Sequence, residues 1–219
     1  MFSAMLIAMF KTLPKPARII ALLAACCLLP SSVLADTVAD NAVNAATAAA
    51  PEPDLTQLEQ EAQTITLAFG KELKTVLQGT IMAAGPVEAI KVCRTNAPAI
   101  ANRLAQEKGW DVARTSYKVR NANNAPDAWE QQILAQWQDK IARGAPVQNM
   151  KASELVMENG VTVYRYMSAI PTGKMCLNCH GSSIAGPVRN TIQDLYPADQ
   201  ATGFKEGELR GAFSLKKTF

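Results

Sequence analysis

The segment PTGKMCLNCHG, Pro171 to Gly181, sets two cysteines three apart and puts the only histidine of the chain directly after the second. Cys176-x-x-Cys179-His180 is the spacing by which a c-type haem is attached. Each thiol forms a thioether with one vinyl group. Two intervening residues let both sulfurs reach the same edge of the macrocycle, and the adjacent imidazole swings under the iron as the proximal ligand. A chain so marked is expected to fold around a flat macrocycle, with one haem c in its core. Because such attachment takes place outside the cytoplasm, the motif also predicts an exported protein.

Other uses of these residues compete. Cys176 and Cys179 could pair as a disulfide in an oxidising compartment. A thioredoxin-like redox pair needs a βαβ context that the surrounding pattern does not offer. A zinc site needs a fourth ligand beside Cys, Cys and His, and Cys93 is the one remaining cysteine that could supply it.

The N-terminus fits export. Lys11, Lys15 and Arg18 form a positive region, IIALLAACCLLP is the apolar run, and Val33-Leu34-Ala35 suits a cleavage site, so residues 1–35 read as a signal peptide cut after Ala35. The apolar run is about a dozen residues, short for a ~30 Å hydrocarbon core. An uncleaved anchor is one alternative, and lipidation at Cys26, after Leu23-Ala24-Ala25, is another. Residues 36–53 are Ala-rich and lack aromatics, so they have little to bury and read as a flexible tether. The folded domain is expected over 54–219.

The charge balance follows from that division. The chain has 22 basic and 19 acidic side chains, and three of the basic ones lie in the signal segment, which leaves 19 against 19. A formally neutral domain does not call for a nucleic-acid partner.

Hydrophobic spacing predicts an α+β domain. Leu55, Leu58, Ala62, Ile65, Phe69, Leu73 and Val76 recur at intervals of three and four, so they share one helix face up to about Ala84. Asp54 with Gln57 resembles a capping box. Gly85-Pro86 breaks that helix, PVEAIKVC predicts a short second one, and AIANRLAQEKG after RTNAP predicts a third. ARTSYKVR reads as a strand over 113–120. NANNAPD is a loop before a fourth helix with the stripe Trp129, Ile133, Trp137 and Ile141, closed by Gly144. NGVTVYRYMSAI is the clearest strand, opened by the turn residues Asn159-Gly160. GELRGAFSL is a closing strand, with Leu209, Phe213 and Leu215 expected on one face. Helices segregated from an antiparallel sheet make the α+β class.

A single histidine excludes bis-histidine ligation within one chain. The sixth iron ligand must be methionine, cysteine, lysine, a small molecule, or nothing. Cys93 is the thiol left over after haem attachment, and an unpaired cysteine in an oxidising compartment asks for a role. It could equally be a small buried apolar residue. Met82, Met157, Met167 and Met175 are competing ligands, each also a natural core filler. The haem propionates call for cationic partners, for which Arg94, Arg114, Arg120 and Arg165 are candidates. Trp129 and Trp137 share one stripe and are expected to pack the core.

Four runs in order, AIKVCRTNAPAIA, RTSYKVRNANNAPDAWE, PTGKMCLNCHG and YPADQATGFKEGELRGAFS, resemble a family of single-haem c-type proteins of unknown function with a PAS-like haem-binding domain. The resemblance spans Asp54 to the C-terminus. It implies N-terminal helices packed with a PAS-like antiparallel sheet. It implies haem held through Cys176 and Cys179, with iron between His180 and Cys93. One departure is Asn121-Ala122, where the family tends to Asn-Pro, which makes this loop less rigid.

Three function classes follow: redox sensing or signalling, electron transfer by a simple soluble carrier with methionine as sixth ligand, and a haem enzyme. An enzyme needs an open iron position and distal acid–base groups. With the single histidine committed to iron, the enzyme reading is the weakest. A sensor usually needs an output domain and none follows Phe219, so sensing would run through a redox or signalling partner protein. The expected location is the periplasm or another exported compartment, with a membrane tether if the signal stays or Cys26 is acylated.

Overall fold

The structure, a computed structural model, describes residues 52–219. The signal segment, Cys26 and all but the end of the Ala-rich stretch lie outside the described residues.

Helix α1, Leu55–Lys108, begins at Asp54, whose carboxylate accepts from the Thr56 and Gln57 N–H groups. That satisfies two donors of the first turn. The reciprocal half of a capping box is missing, because the Gln57 amide instead donates to Glu61. Gly85, at φ 81° and ψ 175°, interrupts the helix, a conformation that costs a residue without Cβ little. The halves 55–84 and 86–108 fold back on each other. Leu58, Ala62, Ile65 and Phe69 of the first meet Ile100, Ala101 and Leu104 of the second. Arg103 ties the pair together through Glu72 on the opposite half. Phe69 is 1% exposed, and burying a side chain of that size contributes about 2 kcal/mol.

The second and third helices expected from the sequence are one. RTNAP does not break the chain, because Ile90, Cys93, Ala97, Ile100, Ala101 and Leu104 continue a single three-and-four stripe across it. Pro98 and Arg94 both lie on the solvent side. The Arg94 carbonyl that loses its N–H partner there is open to water, and packing of the inner stripe overrides propensity.

The sheet has strands β1 (Asp111–Thr115), β2 (Lys151–Glu158), β3 (Val161–Pro171) and β4 (Leu209–Thr218), in the order β1-β4-β3-β2, all antiparallel. β1 starts two residues before the expected strand and ends at Thr115, where Ser116 turns away to donate to the Arg210 carbonyl. β2 carries no strong alternation and has no place in the sequence expectation; it pairs with β3 across the expected Asn159-Gly160 turn.

Tyr164, Tyr166 and Leu215 face the helical hairpin. Met167, Ala169 and Ala212 face the other way, onto helix α2, Ala128–Ala142, through Ile133, Leu134 and Trp137. The α+β class is therefore present, with the sheet covered on both faces. Trp137 is core, and Trp129 packs beside it under the Arg165 guanidinium, 4.5 Å away.

Leu209 is a correction. Phe213 and Leu215 point to the hairpin, but Leu209 packs with the α2 side. The cause is the register shift between Ile170 and Pro171, which breaks the two-residue alternation opposite Leu209.

After β3 come a short turn of helix α3, Leu177–His180, and helix α4, Gly186–Leu195. α4 replaces what the sequence suggests is plain loop. Pro187 starts it, and Val188 and Ile192, one turn apart, are buried. Among the described residues no helix is long and apolar enough to cross a membrane.

Candidate functional site

The segment with the two cysteines and the histidine is brought to Cys93 by α4. Val188 and Ile192 pack on Ile90 of α1, and Val87 and Cys179 join the same cluster. Ile90 lies one helical turn before Cys93, and Cys93, Cys176 and Cys179 are close enough for their charges to act on one another. Cys93, Cys176, Cys179 and His180 are all half-buried. Yet burial is the leading influence on Cys93, Cys179 and His180, pushing both thiols up and the imidazole well down.

His180 is held by a buried clamp. Its Nδ1 lies 2.7 Å from the Ala201 carbonyl oxygen, which can only accept, so Nδ1 carries the proton and Nε2 keeps its lone pair. The pair Arg120–Asp199 fixes that carbonyl. Arg120 meets Asp199 through both carboxylate oxygens at 3.0 Å, and the two side chains are 9% and 8% exposed. The same guanidinium donates to the Cys179 carbonyl at 2.6 Å and the Ala201 carbonyl at 3.3 Å. Asp199 also accepts from the Ala201 N–H. Phe204 closes the other side, its N–H donating to the His180 carbonyl and its ring edge-on to the imidazole at 6.3 Å.

The arginines divide by position. Arg165 sits on the α2 side of the sheet, bonded to Asp127 at 2.6 Å and Glu158 at 2.9 Å. Arg94 is exposed, and Arg120 is committed to Asp199. Arg114 reaches inward over the Phe69 ring at 5.5 Å, and its charge acts on Cys93. Arg210 lies over the Phe204 ring at 5.2 Å, with long contacts to Ser116 Oγ at 3.3 Å and the Lys118 carbonyl at 3.4 Å. Sequence reasoning missed Arg210, Asp199 and Ala201. They sit in the run YPADQATGFKEGELRGAFS, but no spacing rule links them to residues some 80 positions earlier.

The competing methionines stand elsewhere. Met82 and Met157 are 88% and 68% exposed, and Met167 is fully buried on the α2 side of the sheet. Met175 remains beside Cys176 and is half-buried.

The donor set fits a haem. Cys93, Cys176 and Cys179 are free thiols, and His180 presents an unprotonated ring nitrogen. Among the described residues no three Cys, His or carboxylate ligands converge closely enough for a bare metal ion. A surface recess of about 470 Å³, lined by Glu61, Trp110 and Lys217 among others, lies at the opposite end of the β1–β4 pair and holds none of these residues.

Residues 34–217 match the family model described as Tll0287-like, Tll0287. Among solved structures the chain is similar to one titled as the crystal structure of the cyanobacterial heme-protein Tll0287. Their identity is 24% and the TM-score 0.54, covering 74% of this chain and 95% of that one, a likeness of fold. No curated protein matches the sequence.

Proposed function

This chain belongs to the Tll0287-like family, and from that premise we propose that it is an exported haem c protein that works in redox sensing or electron transfer. Cys176 and Cys179 would hold one haem through two thioethers, and His180 and Cys93 would bind its iron. The observation that carries this reading is the approach of Cys93, on the inner stripe of α1, to Cys176 and Cys179.

Bound haem supplies one-electron chemistry at its iron. The rest is the work of the chain. The Ala201 carbonyl fixes the His180 tautomer, which leaves the Nε2 lone pair free to take the iron, and Arg120 and Asp199 fix that carbonyl. Ile90, Ile184, Val188 and Ile192 exclude water from the side where Cys179 lies. Arg114, Arg120 and Arg210 each favour a thiolate at Cys93 against its burial.

An acid–base enzyme is less well served, since His180 would be committed to iron and Asp199 is taken by Arg120 and the Ala201 N–H. A methionine-ligated carrier is disfavoured by where Met82, Met157 and Met167 stand. The positive, apolar and small-residue sequence of 1–35 supports export to a periplasm-like compartment, and a redox or signalling protein is the partner we assign.

Denaturing electrophoresis with haem staining tests the attachment. Stain is expected on the chain, with one haem per polypeptide, and haem that extracts fully into acidic acetone contradicts it. Absorption spectra of both redox states separate the two roles. Six-coordination kept in both marks a carrier, and loss of Cys93 in the ferrous state marks a sensor.

A further inference from the structure

Three guanidiniums, those of Arg114, Arg120 and Arg210, stand within electrostatic reach of Cys93 and of one another. One carboxylate answers them, and both oxygens of Asp199 go to Arg120. Among the described residues Arg114 and Arg210 make no ion pair. Arg114 has only the Phe69 face, and Arg210 the Phe204 face and two long neutral contacts. Burial lowers both, Arg210 to about 10, and its two arginine neighbours add repulsion. Two desolvated cations side by side are unfavourable unless an anion joins them.

The charge balance names the anion. A ferric porphyrin core carries one positive charge, which a Cys93 thiolate offsets. The propionates then leave two negative charges, matching the two unanswered guanidiniums. We propose that Arg114 and Arg210 form a carboxylate-binding pair that holds the haem propionates, while Arg120 is a positioning residue for the His180 loop. This rests on the haem reading above. Of the sequence candidates it keeps Arg114, sets aside Arg94, Arg120 and Arg165, and adds Arg210. The guanidinium fork suits a carboxylate at both positions.

The test uses the haem-loaded protein with Arg114→Gln, Arg210→Gln and the two Lys substitutions. The readouts are the propionate carboxylate bands in redox-induced infrared difference spectra and the reduction potential. Each Gln variant is expected to shift a carboxylate band and to move the ferric–ferrous equilibrium about tenfold toward the ferric form, because a nearby cation is lost. Each Lys variant keeps the equilibrium near that of the parent, since the charge stays, but still shifts the band, because a point charge replaces the fork. Should a Gln variant fail to fold, the Lys band decides: an unshifted band overturns the assignment. Gln variants with bands like the parent also overturn it. So does Arg114→Gln changing only the ferric thiolate spectrum, which would make that arginine a neighbour of Cys93 alone. A parent chain without covalent haem would overturn the haem reading as well, and haem staining of the same samples tells the two failures apart.

Discussion

At the scale of single residues, the site depends on a buried ion pair that no local pattern announces. Arg120 and Asp199 are 79 positions apart and nearly closed to solvent. Removing one partner of such a pair leaves an uncompensated charge, at a cost of about 3–5 kcal/mol. Asp199→Asn is therefore expected to lower the unfolding free energy by about 3 kcal/mol in urea titrations. Arg120→Met with Asp199→Leu should lose less than the sum of the two single changes, since no orphan charge remains. A double variant that loses the full sum contradicts the pairing. Cys176, Cys179 and His180 stand out in the sequence because the proposed covalent attachment would fix their order and spacing. Cys93 was legible only as the thiol left over, together with a resemblance around VCRTNAP. Arg210 and Asp199 were not, because an ion pair constrains distance in space and leaves sequence separation free.

At the scale of elements, the structure follows hydrophobic period where the period is long and departs from it where turn chemistry alone was the guide. The stripe of α2 is where periodicity predicts it, and so is that of the first half of α1 from Leu58 to Leu73, but Leu55, expected on the same face, is 49% exposed. RTNAP looks like a break by composition but stays helical because its inner face is packed. β2 is a half-exposed edge strand, so few of its side chains are apolar enough to show alternation. α4 did leave a signal in Val188, Ile192 and Leu195, overshadowed by the glycines and proline before it.

The true capping box is at α2, where the Asp127 carboxylate accepts from the Glu130 N–H and Glu130 returns to the Asp127 N–H. Burial works to raise the Asp127 carboxyl, but the Arg165 hydrogen bond, the Glu130 N–H and the Lys216 charge together hold it below its ordinary value. A depressed carboxyl stabilises the fold above its unfolded pKa, near 3.9, and that contribution fades as the pH falls through the folded value. Asp127→Ala is expected to cost about 1–2 kcal/mol at pH 7 and distinctly less near pH 3, by urea denaturation at both. An equal loss at both values contradicts a charged cap.

At the scale of the whole molecule, the four-stranded sheet holds together segments that sequence keeps apart. One face carries the helical hairpin and so Cys93, and the β1–β4 end carries Arg114 and Arg210. The excursion between β3 and β4 carries Cys176, Cys179, His180 and Asp199. The account predicts that these four stretches act as one site around one haem, with Cys93 opposite His180. Its most direct test is the ferric electron-spin-resonance spectrum of Cys93→Ser beside that of the parent. Attachment should survive, since Cys176 and Cys179 are untouched. The low-spin thiolate signature should vanish and the reduction potential should rise, because an anionic ligand that favours Fe(III) has been removed. A spectrum and a potential unchanged from the parent would contradict the assignment and leave Met175, half-buried beside Cys176, as the next residue to substitute.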